Sequence, residues 1–150
     1  MQSNESNAAK SASGNLMNQN LRQEILKLLA NNKIHKFIPE PRYNYPGKKT
    51  KQFSPDGEIT LLDKSIIVYD NTTTVRHDRL KQKLWDAYGT KEYFKAKNLN
   101  IKYYVIIPNE LTTKEISNAL REKIKINNPE YFSTIDDIIT LQEFITLISN

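Results

Sequence analysis

The apolar positions along this chain of 150 residues fall into helical and strand-like patterns that alternate. Leu21, Ile25, Leu28 and Leu29 stand at i, i+4, i+7 and i+8, which predicts the buried face of a helix over about 20–31, closed by Asn31-Asn32. Residues 33–54 hold Pro39, Pro41, Pro46 and Gly47 and read as loop, with at most a short extended piece around Ile34–Ile38. Ser54-Pro55-Asp56-Gly57 then leads into Glu58-Ile59-Thr60-Leu61-Leu62, whose partial alternation predicts a strand. Asp63-Lys64 makes a tight link into Ser65-Ile66-Ile67-Val68-Tyr69-Asp70, where the unbroken apolar run predicts a strand covered on both faces. Leu80, Leu84, Ala87 and Tyr88 restore the helical spacing within a helix from Val75 to about Asn98, with Gly89 as a point of weakening or bending. Tyr103–Ile107 predicts a second buried strand, closed by Pro108-Asn109. Ile116, Leu120 and Ile124 predict a further helix capped by Thr112 or Thr113. Leu141, Phe144, Ile145 and Ile148 predict the last helix, preceded by a short strand around Asp137–Thr140.

A hairpin followed by a strand–helix–strand crossover gives an α/β fold with a mixed central β-sheet flanked by helices. No internal repeat is present. Residues 1–19 are mostly Ser, Asn, Ala and Gln, too polar to repay ordering, and read as a disordered tail. Residues 20–150 then form a single domain, long enough for a real core.

Composition narrows the classes. The absence of cysteine excludes a disulfide scaffold, a thiolate zinc site, an iron–sulfur cluster and a Cys nucleophile, and fits a reducing cytoplasm. No apolar run reaches the roughly 18–20 residues of a membrane span, and the polar N-terminus predicts no signal peptide. The expectation is a cytoplasmic protein with no membrane partner. Four glycines occur without a Walker or dinucleotide-binding pattern. The net charge of +5 is unevenly spread: residues 126–150 carry −4, and residues 20–125 carry +9. A basic body suits a polyanion such as a nucleic acid, and it equally suits a Lys-rich solvated surface.

Two carboxylates stand out against that basic background. Asp56 opens the first strand of the hairpin and Asp70 closes the second, so antiparallel pairing puts them side by side at one end of the sheet. Neighbouring carboxylates raise each other's pKa unless a cation lies between them, and Mg²⁺ is the hard, oxygen-seeking candidate. Pro55 pre-sets the backbone before Asp56, and Gly57 lets another chain approach closely. Ser-Pro-Asp-Gly also reads simply as a turn, and Asp70 as a turn or capping residue. Beyond Asp70, the residues Arg76, Arg79 and Lys83 share one helical face, with His77 and Lys81 beside it and with Leu84 and Trp85 anchoring the other side. Arg and Lys near a helix start favour phosphate, although such a stripe is often only solvated. A Ser-His-Asp triad through His77-Asp78 lacks a nucleophile-elbow motif, and His35 and His77 are too few for a zinc set.

Ser54-Pro55-Asp56-Gly57 followed by Ile66–Tyr69 and Asp70-Asn71-Thr72 resembles the core of the PD-(D/E)xK nucleases. The continuation Asn71–Lys81, Lys83, Trp85–Tyr88 and the Tyr103–Asn109 strand is similar to type II restriction endonucleases, above all the small cleavage domains and subunits of type IIS enzymes. The resemblance covers about residues 20–150. It implies a restriction-endonuclease-like fold and a Mg²⁺-dependent endonuclease that hydrolyses DNA phosphodiester bonds, with Asp56, Asp70 and the Asn71 carbonyl as metal ligands. Glu24 would match an accessory acid of the family. Where the family has its motif Lys this chain has Thr72, and Lys81 or Lys83 from the following helix would supply the charge. Arg76, His77, Arg79, Lys48, Lys49 and Lys51 would contact double-stranded DNA. A homodimer or a larger specificity or cleavage subunit would complete double-strand cutting. A catalytically degenerate DNA-binding or assembly subunit is the alternative, and an RNA or repair nuclease on the same fold is a third reading.

Overall fold

The computed structural model describes residues 7–49, 52–73, 77–109 and 118–149. Helix α1 (Asn7–Ala30) leads into strand β1 (Lys36–Pro39) and a short two-stranded ribbon, β2 (Tyr43–Asn44) with β3 (Gln52–Phe53). Strands β4 (Gly57–Thr60) and β5 (Ile66–Asn71) follow, then helix α2 (His77–Lys95) and strand β6 (Ile101–Ile107). Helix α3 (Asn118–Asn127), a 3-10 turn (Pro129–Ser133), strand β7 (Asp137–Thr140) and helix α4 (Leu141–Ser149) complete the chain.

The main sheet has the order β1-β4-β5-β6-β7. The β1/β4 and β4/β5 pairs are antiparallel, and the β5/β6 and β6/β7 pairs are parallel. The expected mixed sheet with helices on its faces is therefore present, with the two apolar runs, β5 and β6, as interior strands.

Strand alternation divides the core in two. Val68, Tyr103, Val105, Ile107 and Ile138 face α2, α3 and the 3-10 turn through Leu80, Ala87, Phe94, Ile124 and Tyr131. Ile59, Ile67, Tyr69, Ile106 and Ile139 face α1 and α4 through Met17, Leu21, Ile25, Phe144 and Ile148. Both α1 and α2 end in the same device. Asn32 and Asn98 adopt positive φ, and the next residue's N–H reaches back to the carbonyl of Leu28 or Phe94 at 2.9 Å. That is a Schellman closure with Asn as the left-handed residue.

Several expectations are corrected. The first helix starts at Asn7 instead of about residue 20 and takes in most of the segment read as tail; Met17 is buried and extends the Leu21/Ile25 face by one more turn. Trp85 does not anchor α2: it is 64% exposed and pairs edge-to-face with Tyr88, while Leu84 packs against the core. The Pro-rich stretch holds more pairing than its composition suggests, with β1 on the sheet edge and the β2–β3 ribbon joined through a Tyr45–Lys48 turn. Pro46 and Gly47 (φ +78°) suit the second and third positions of a type II turn. Thr112, Thr113 and Ile116 lie outside the described residues.

Two glycines are fixed by aromatic rings of the same molecule. Gly57 lies opposite Tyr69 in the β4/β5 ladder, and a Cβ there would come within 2.3 Å of Tyr69 Cε2. The close approach expected at Gly57 is thus met internally, by a buried ring folded over the strand. Gly89 admits Tyr45, whose Cε1 would be 2.5 Å from an added Cβ, so the ribbon seats against α2. Tyr43 seats it further, donating to Glu58 Oε1 at 2.5 Å and packing on Tyr93 and Phe94. Tyr69 is fully buried and cannot swing away, whereas Tyr45 is only half-buried. Gly57→Ala should therefore cost about 1–3 kcal/mol in urea unfolding, and Gly89→Ala measurably less. Equal costs would contradict this account of the two contacts.

Candidate metal centre and active site

The β4/β5 register brings together the carboxylates that the sequence placed at strand ends. Gly57 pairs with Tyr69, so the residues just outside that pair, Asp56 and Asp70, become neighbours. Their backbones lace them together. The Asp56 N–H is shared between the Tyr69 carbonyl and Asp70 Oδ1, both at 3.1 Å. The Asn71 N–H donates to Asp56 Oδ2 at 2.7 Å. The Asp56 side chain cannot swing off without leaving the Asn71 N–H unpaired, whereas the Asp56 N–H keeps the Tyr69 carbonyl if Asp70 moves.

Asp70 is the more deeply set of the two, only 4% exposed. Its second oxygen, Oδ2, accepts from the hydroxyl of Tyr103, which rises from the neighbouring strand β6. From above, α2 lowers Lys83, whose Nζ lies 3.7 Å from Asp70 Oδ1 with its side chain 15% exposed. Burial pushes the Asp70 carboxyl up to about 7; Lys83 pulls it down, Asp56 pushes it further up, and the Tyr103 hydrogen bond lowers it. Asp86, one turn beyond Lys83, is also raised by burial and lowered by Lys83. Lys83 is thus the cation that answers both Asp70 and Asp86, with Asp56 beside them.

The surplus negative charge suits a divalent cation. Among the described residues no three His, Cys, Asp or Glu side chains form a ready ligand cage. The protein offers two carboxylates, and a small set of hard oxygen donors fits Mg²⁺ better than an ion that demands a full protein shell.

The other expected site residues are dispersed. Thr72 is buried and its N–H continues the β5/β6 ladder to the Ile106 carbonyl at 2.9 Å. Lys81 points to solvent, so of the two candidate lysines only Lys83 reaches the carboxylates. Glu24 pairs with Lys27 at 3.2 Å on the surface of α1 instead of joining the site. His77 binds the Tyr131 hydroxyl through Nδ1 at 2.7 Å, which ties the start of α2 to the 3-10 turn. Arg79 is exposed on α2, and Lys48 and Lys49 are exposed at the tip of the ribbon. Arg76 and Lys51 lie outside the described residues.

Three contributors were not singled out from the pattern. Tyr103 read as a core aromatic, and only its hydroxyl height above the sheet reveals its use. Asn18 of α1 accepts from Asn71 Nδ2 at 2.8 Å, beneath the carboxylate end. Asp86 carries an i, i+3 relation to Lys83, the one signal that would have found it.

Because the folded state holds the Asp70 proton more tightly than the unfolded chain, Asp70 adds stability that is full below its ordinary value of 3.8 and is lost as pH rises through about 7. A metal ion needs that proton gone. Mg²⁺ should raise the melting temperature at about pH 8 and much less at about pH 5.5, and Asp70→Asn should abolish the shift. An equal Mg²⁺ shift at both pH values in scanning fluorimetry would contradict the site.

Comparison with family models, with curated proteins and with solved structures finds no match to this chain.

Proposed function

We propose that the protein is a Mg²⁺-dependent endonuclease that hydrolyses DNA phosphodiester bonds, of the restriction type its motifs resemble. One observation carries the reading: Asp56 and Asp70 held together at the sheet end with the Lys83 ammonium 3.7 Å from Asp70 Oδ1. A carboxylate pair and one lysine make up the chemical set of the PD-(D/E)xK motif, and here the lysine comes from α2 instead of the strand position occupied by Thr72.

The residues take the following roles. Asp56 and Asp70 would hold the metal, with the Asn71 carbonyl as a further ligand. Bound there, it would supply Lewis acidity toward a phosphate oxygen and lower the pKa of the attacking water. Lys83 orients that water and offsets the charge that gathers on phosphorus in the transition state. The water oxygen bonds to phosphorus in line as its proton passes to bulk water, the P–O bond to the leaving sugar oxygen breaks, and that oxygen takes up a proton from solvent. Tyr103 and the Asn71 N–H fix the carboxylates, so little reorganisation is needed. Exposed Arg79 and Lys81 on α2 and Lys48 and Lys49 at the ribbon tip are cations open to a phosphate backbone.

Thr72 at the motif position favours a second reading, a nuclease-fold subunit that binds DNA without cutting it. A double-strand cut on either reading of the assembly requires a second site, from another copy of the chain or from a partner subunit.

Plasmid nicking in Mg²⁺ or Mn²⁺ separates the two. Asp56→Ala and Asp70→Ala should each lower the cleavage rate by about a thousandfold or more while duplex binding persists. Lys83→Ala should cost about a hundredfold or more, and Lys81→Ala only a few-fold. Wild-type protein that never nicks, alone or with partner chains, supports the non-catalytic subunit.

A further inference from the structure

On the opposite face of the sheet from Lys83, α1 brings Arg22 to the same end. Its Nε and Nη2 are both buried without a hydrogen-bond partner. Its ion-pair partner is Glu40, with Oε1 3.5 Å from Nη2 and a side chain that is itself 68% exposed. The Arg22 side chain as a whole is 28% exposed, but its two buried nitrogens would normally find acceptors, because an unmet buried donor is costly. The hydroxyl of Tyr69 is buried and unpartnered as well. These unmet donors share one location, behind Asp56.

Glu40 is an insecure partner. It sits just past the end of β1 at φ +46°, a left-handed conformation that disfavours a residue with a Cβ. Its N–H donates to the Asp56 carbonyl at 3.1 Å, so its backbone is fixed to the carboxylate site while its side chain faces solvent. Glu40 also lines a cleft of about 340 Å³ with Arg42, Phe53 and Ser54, and Ser54 stands two residues before Asp56. A group in that cleft meets Arg42 and the Glu40 carboxylate, and by taking the place of that carboxylate it reaches Arg22.

We infer that this cleft is a second phosphate subsite, in which a backbone phosphate of the nucleic acid next to the one at Asp56 and Asp70 displaces the Glu40 carboxylate from Arg22. The planar guanidinium matches two phosphate oxygens, and the Tyr69 hydroxyl supports the buried end of the group. Glu40 holds the site closed to weaker anions until a polyanion replaces it. The inference rests on the nucleic-acid reading above, though not on catalysis.

The test is fluorescence anisotropy of a labelled DNA duplex across a salt series, with Ca²⁺ in place of Mg²⁺. Arg22→Ala should weaken binding by about tenfold or more and reduce the slope of log K against log salt by about one, the signature of one lost phosphate contact. Glu40→Gln, an exposed change, should tighten binding several-fold. A purely structural Arg22–Glu40 pair would leave both the slope and the Glu40→Gln affinity at wild-type values, and that result overturns the inference. So does a wild-type protein that binds no duplex. If these shifts occur while wild type never nicks plasmid, the subsite stands and the nuclease reading fails. If wild type nicks and both variants bind as it does, the nuclease reading stands and the subsite fails.

Discussion

Burying a carboxylate beside another carboxylate is unfavourable, and the arrangement around Asp70 is organised by that cost. The Asp70 side chain is only 6% exposed, so its charge is met by the Tyr103 hydroxyl, the Asp56 N–H and the Lys83 ammonium. Each of those donors belongs to a different element, β6, the start of β4 and α2. The sheet register, the docking of α2 and the chain path into β4 are thus all committed to one acidic group. Such concentration of polar groups at a sheet end does nothing for stability that leucines would not do better. On the proposed reading, a divalent cation between Asp56 and Asp70 would turn their mutual repulsion into shared ligation.

The sheet around this group was largely legible in the sequence, because β5 and β6 are unbroken apolar runs and the Asp63-Lys64 link is short. Those two facts fix an antiparallel hairpin and a parallel crossover, and from them the adjacency of Asp56 and Asp70 follows. The Pro-rich stretch was less legible. Its pairing depends on partners far along the chain, β1 on β4 and the ribbon on α2 through Tyr45 and Gly89. The early start of α1 was missed because its first nine residues, 7–15, are all polar or small; among the described side chains its first buried contact is Met17.

Side-chain direction on helices was the other limit. Lys81 and Lys83 are chemically the same in sequence, but they project from nearly opposite sides of α2, and only the roll of the helix on the sheet selects Lys83. The same roll exposes Trp85, which hydropathy alone would bury. Nothing in the sequence pattern marks Arg22; its unmet donors emerge only once Tyr69 and Glu40 are in place around it. Gly57 was read as room for another molecule, whereas its space is filled by Tyr69. In each case the residue type was visible and the partner was not.

The central claim is that Asp56 and Asp70 together ligate one hard divalent cation. Anomalous diffraction from crystals soaked in Mn²⁺ tests it without reference to activity or partner chains. The account predicts a single strong peak bridged by one oxygen of each carboxylate, lost in Asp70→Asn crystals. A peak elsewhere, or none at saturating Mn²⁺, would contradict it.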